Sequence, residues 1–160
     1  MTTGLFSACQ IAKHNELASA LRVYVETNPD GVSTNQTVSV VRAHPMAFPV
    51  DSVPVLTEAS IVAARTIDTQ GGSAIQVQFD EMGTYTLEHY SASNPGKHFV
   101  IFGQWGKTVA DSRWLAAPLI TRRMGDGKLV FTPDASREEA NRLVLGLNEA
   151  IKQIHKGQLK

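Results

Sequence analysis

His98-Phe99-Val100-Ile101-Phe102-Gly103 is an apolar run without alternation, entered through Asn94-Pro95-Gly96-Lys97 and closed by a glycine. A run of this kind reads as a central strand, covered on both faces or packed by helices on one. Upstream, residues 73–79 alternate: Ile75, Val77 and Phe79 face one way, Gln76 and Gln78 the other. That is a half-buried strand after a Gly71-Gly72 turn. Downstream, Gly125-Asp126-Gly127-Lys128 reads as a hairpin turn before a short Leu129-Val130-Phe131 strand. Ser136 and Glu139 form a Ser-x-x-Glu capping box. Ala140, Leu143, Val144, Leu147, Ile151 and Ile154 then recur at helical spacing, with acidic residues in the first turn and basic ones near the end.

The rest of the chain is less regular. Leu21, Val23 and Val25 alternate with polar positions, and residues 37–41 supply a second strand after Asn28-Pro29-Asp30-Gly31, so 21–41 reads as a hairpin. Pro45, Pro49 and Pro54 forbid a helix or a central strand, which makes 44–56 an extended connector. Thr57 caps a short helix over 58–65, and a second short helix begins near Gly83 and runs to about Ala92. Strands interspersed with helices give an α+β two-layer sandwich. The division is an arm at 1–20, a hairpin and Pro-rich connector at 21–56, and a main domain at 57–160.

The order Asn94-Pro95-Gly96-Lys97, apolar strand, Ala117-Pro118-Leu119-Ile120, Gly-led turn, Phe131 and Glu138-Glu139-Ala140 resembles the head of the first periplasmic domain of SecD. SecD is a component of the bacterial protein-export membrane machinery. The resemblance covers 57–151 and leaves the 21–41 hairpin outside it. It implies a ferredoxin-like head with that hairpin added, an extracytoplasmic setting in the cell envelope, and contact with polypeptide or another envelope protein. It does not imply a reaction.

Composition bears on partners. The chain has 160 residues, with 15 Lys plus Arg balanced by 15 Asp plus Glu. A neutral balance gives no electrostatic argument for nucleic acid or an anionic membrane. The longest charge-free stretch, Met1 to Ala12, is too short and polar to cross about 30 Å of hydrocarbon. Cys9 is the only cysteine, so no intrachain disulfide forms. Ser7 and Ala8 before it, after Leu5-Phe6, resemble a bacterial lipobox, in which the thiol is acylated and tethers the protein to a membrane. Against this, only eight residues precede Cys9, and the alternatives are a free thiol and a cytoplasmic location.

No metal, cofactor or catalytic motif emerges. The five histidines form no His-x-x-x-His, and no Gly-x-Ser-x-Gly elbow or phosphate loop is present. Gln104, Trp105, Arg113 and Trp114 are the candidate binding residues, because Trp and Arg concentrate binding energy at interfaces. The competing explanation is that the tryptophans cover a sheet edge. The other functional classes are a small enzyme gathering Asp80, His89, His98 and Arg122, and an oligomer that exchanges the 21–41 hairpin.

Overall fold

A computed structural model describes residues 19–29 and 35–158 of the chain. Among these residues nine strands and two α-helices follow one another: β1 (Ala20–Val25), β2 (Asn35–Val40), β3 (Met46–Asp51), β4 (Leu56–Thr57), β5 (Ile61–Thr69), β6 (Gly72–Phe79), α1 (Glu81–Ser93), β7 (Phe99–Gln104), β8 (Ser112–Ala116), β9 (Lys128–Phe131) and α2 (Arg137–Gln158). The α+β class stands. Among the described residues the strands form three antiparallel sheets, ordered β4-β1-β7-β8, β2-β3 and β5-β6-β9.

β7 is the central strand that its apolar run predicts. It lies between β1 and β8, with Val23 opposite Ile101 and Tyr24 opposite Val100. Phe99 and Ile101 point into a large core shared by strands of two sheets and by both helices. Val100 points to a second, smaller core beneath β2 and β3. Side chains alternate across a strand, so a strand buried on both faces has no polar positions to alternate with. Gly103 serves the large core by lacking a side chain, since a Cβ there would collide with Leu115 and sit 3.2 Å from Leu143 Cδ2.

Several expected elements change. Leu21 to Val25 form a strand, but it pairs with β7 and β4, and the hairpin is instead β2–β3. The Pro-rich connector supplies β3, with Pro49 inside it. The carbonyl of Pro49 accepts a hydrogen bond from Thr27 N (2.8 Å), and that side of the residue needs no donor. Thr57 does cap, accepting from Ala59 N, but only a single 3₁₀ turn follows before β5. The β-branched Ile61, Val62, Thr66 and Ile67 favour a strand over the expected helix. The Gly125-Asp126-Gly127 turn leads into β9, whose partner is β6, so it does not close a local hairpin.

Both helices start as their caps dictate. Asp80 accepts from Gly83 N at 2.7 Å and opens α1. At α2, Glu139 N donates to Ser136 Oγ (3.2 Å) and Ser136 N donates to Glu139 Oε2 (2.8 Å), the reciprocal pair of a capping box. Ala140, Leu143, Leu147 and Ile151 bury the apolar stripe, whereas Ile154 is 39% exposed.

α2 also protects the outer edge of β5. Asn148 Oδ1 accepts from Ala64 N (3.2 Å) and Asn148 Nδ2 donates to Ala64 O (2.9 Å). One amide side chain thus occupies both backbone groups that a neighbouring strand would take, which blunts an edge otherwise open to pairing.

Candidate binding surface

The second face of the β4-β1-β7-β8 sheet is aromatic. Trp114 lies between Tyr24 and Phe102, with ring centroids 5.0 and 5.3 Å away. Val38, Val40, Phe48 and Val50 of the β2–β3 ribbon close over this face. At the base of the ribbon, Phe48 packs on the His98 ring at 4.8 Å. Glu26 holds His98 through its ring nitrogen Nδ1 (2.7 Å) and its backbone N–H (3.1 Å).

The far end of the ribbon is tied by charge. The turn after β2 carries Arg42, whose backbone N–H and Nε both donate to Asp134 Oδ2, at 2.9 and 3.0 Å. Behind it, Arg113 makes a bidentate pair with Glu139, both bonds at 3.0 Å, and also donates to the Asp134 carbonyl. This fork geometry suits a guanidinium facing a carboxylate. The Arg113 hydrogen bonds hold the Glu139 carboxyl below its ordinary range, against partial burial. Partial burial pushes the Asp134 carboxyl up, but the Arg42 hydrogen bonds and charge together bring it below the ordinary carboxylate value. Asp134 raises the pKa of Arg42 in turn.

The four candidate residues lie at one end of this sheet but divide between its faces. Trp105 is 4% exposed and belongs to the large core, and the Arg113 guanidinium stacks on its ring at 5.0 Å. The indole N–H of Trp105 has no acceptor among the described residues. Trp114 packs on the smaller core, half-buried. Gln104 is also half-buried and donates to Gly106 O at 2.9 Å. Strand alternation sets Arg113 and Trp114 on opposite sides. Cys9 lies outside the described residues.

The proposed acid–base set is not gathered. Asp80 caps the start of α1 while His89 lies nine residues along it, roughly 13 Å up the helix axis. His89 stacks on Tyr85, His98 is engaged with Glu26 and Phe48 at the other sheet face, and Arg122 is exposed. General acid–base work needs groups within hydrogen-bond reach. Among the described residues no three His, Cys, Asp or Glu side chains are placed to hold a metal ion. No described helix is long and apolar enough to cross a membrane.

Two features escaped the sequence reading. One is the Arg42–Asp134 tie, whose partners are 92 positions apart. The other is a cleft of about 730 Å³ lined by Val25, Thr27, Val53, Val55, Tyr90 and Lys97, among others. It joins the end of β1 and the residues before β4 to the outer side of α1, so no local pattern marks it.

An aromatic sheet face under a two-stranded ribbon, with helices on the opposite face, defines an α+β head domain. Residues 35–151 match the family model described as SecDF, P1 head subdomain, and the chain belongs to that family. The match begins at Asn35, so it is wider than the 57–151 resemblance and takes in the ribbon. Solved structures agree in fold. One, a membrane component SecDF that enhances protein export, is 20% identical with a TM-score of 0.60, covering 93% of this chain and 71% of its own. SecDF in a super-membrane-facing form is 22% identical with a TM-score of 0.61, covering 91% and 21%. The translocon-associated SecDF from Thermus thermophilus is 20% identical with a TM-score of 0.51, covering 94% and 22%. This chain therefore spans about a fifth of the latter two proteins. A search of curated proteins finds no match.

Proposed function

We propose that this chain is a non-catalytic interaction module of the bacterial cell envelope, on the extracytoplasmic side, that contacts extended polypeptide or another envelope protein. The observation that carries the reading is membership of the SecDF P1 head family across 35–151. A structure in that fold group is described as enhancing protein export. A shared fold alone does not transmit an activity, so the reading also leans on the surface. Gln104, Trp105, Arg113 and Trp114 form its contact end. Trp105 and Arg113, stacked and anchored to Glu139, fix the ends of β7 and β8. Trp114 and Gln104 present the side chains that meet the partner. Acylation of Cys9 would tether the module to a membrane. Intact-mass analysis of the protein from its native cells reads that directly, and an unmodified cysteine removes the tether.

The binding test is fluorescence anisotropy with a dye-labelled, permanently unfolded apolar polypeptide. We expect saturable binding, weakened about tenfold or more by Trp114→Ala, in line with an aromatic anchor. Absence of saturable binding at any accessible concentration rejects the polypeptide reading.

A further inference from the structure

We propose that the β2–β3 ribbon is a hinged cover occupying the aromatic sheet face, and that this face, once uncovered, takes an extended segment with apolar side chains at alternate positions. The inference rests on the polypeptide-binding reading above and adds its regulation.

Four observations converge on it. First, among the described residues the ribbon is a separate two-stranded sheet, with no strand ladder joining it to β1, β7 or β8 beyond an isolated bridge between Glu26 and Val50. Over the middle of the face, the packing of Val38, Val40 and Phe48 holds it down. Second, its attachments are polarised. The base is joined through the Glu26–Val50 bridge and the Thr27–Pro49 hydrogen bond. The opposite end, the turn between β2 and β3, is held by Arg42 on Asp134. Third, that turn is strained. Val41 has φ of 65°, a left-handed conformation that is a true outlier for a β-branched residue. Strain beside a fastening favours release of the fastened state. Fourth, the ribbon shows what the face accepts. Val38 and Val40, then Phe48 and Val50, alternate along two extended strands and insert over Tyr24, Phe102 and Trp114. The cover is thus an intramolecular stand-in for an extended apolar segment.

Native-state thiol labelling of the full chain tests the opening, in a Cys9→Ser background. Val38→Cys places a thiol under the ribbon, and Ile75→Cys places one in the large core. V38C should react about tenfold or more faster than I75C, because a sub-global opening costs less than unfolding. V40C, on the same inner face but nearer the fastened turn, should match V38C and so guards against local damage by one substitution. Arg42→Ala should speed V38C about two- to fivefold, the range for one exposed ion pair, and leave I75C unchanged. Equal rates at V38C, V40C and I75C overturn the cover.

A dye-labelled peptide with the sequence of residues 35–51 then tests capture. It should bind R42A more tightly than the parent chain. Equal binding to both overturns the cover but leaves polypeptide binding in place elsewhere. No binding to R42A, when V38C shows the ribbon opening, overturns capture by this face.

Discussion

Phe99 and Ile101 leave β7 toward a core built from strands of two sheets and both helices, whereas Val100, between them, leaves it toward a core closed by one ribbon. All three residues are essentially inaccessible to water, at 0–1% exposure. Burial alone therefore does not rank them. What differs is the number of independent elements that must move before each side chain is wetted. On the large-core side, β5-β6-β9 and α2 would have to separate from the four-stranded sheet. On the ribbon side, one two-stranded element has to lift. Stability is distributed unevenly when elements differ in this way.

Substitutions can break or sharpen that contrast. Ile101→Ala should cost about 2–5 kcal/mol and lower the whole unfolding transition, because the cavity lies where no element can collapse alone. Chemical denaturation followed by Trp fluorescence and far-UV circular dichroism should shift together. Phe48→Ala should cost less, about 1.5–3 kcal/mol, close to the transfer term for one aromatic side chain. Its effect should be confined to the ribbon, seen as faster amide exchange in β2 and β3 with β6 unchanged. A Phe48→Ala variant that destabilises β6 equally would erase the contrast.

Asn148→Ala should cost about 1 kcal/mol, since it strands two backbone groups of Ala64. It should also uncover the β5 edge and promote self-association, read by sedimentation as a concentration-dependent increase in size. The smallest expected effect is that of pH. Asp134 and Glu139 ionise more readily in the folded chain than in the unfolded one. Their contribution is then complete at neutral pH and fades as pH falls through the ordinary carboxylate range, about 4, and below. Both groups face Arg42 and Arg113 across the end of the ribbon. Acid titration should therefore loosen β2–β3 before the sheet carrying Ile75, with hydrogen exchange as the readout.

The sequence was most legible where local signals and tertiary burial agree. The α2 helix has a capping box and a continuous stripe, and β6 alternates cleanly. β7 was readable because burial on both sides removes its polar positions. The N-terminal half was misread because its pairings are not local. β1 meets β7 across more than seventy positions, from Val25 opposite Phe99 to Ala20 opposite Gln104, so the turn signal at Asn28-Pro29 drew it toward a hairpin with β2. Pro49 hid β3, since a proline in a strand is tolerated only where no donor is required. The Thr57 cap suggested a helix over 58–65, yet the β-branched residues and pairing with β6 decide for a strand after a single 3₁₀ turn. At the candidate surface, the residue types Trp and Arg mark Trp105, Arg113 and Trp114 but not their environments: Trp105 is in the large core under Arg113, and Trp114 packs on the smaller one. Their division between two faces depends on the register of β8 against β7, including the irregularity between Ile101 and Phe102, which no composition reveals.

The most direct measurement is residue-resolved native-state hydrogen exchange by NMR under mildly destabilising conditions, comparing β2–β3 with β6 and β7. The unequal faces predict that the amides of residues 36–40, 46–48 and 50 exchange together, through an opening of lower free energy than the one exposing β6 and β7. Exchange of the ribbon and of β6–β7 through a single opening of the same free energy would contradict the account.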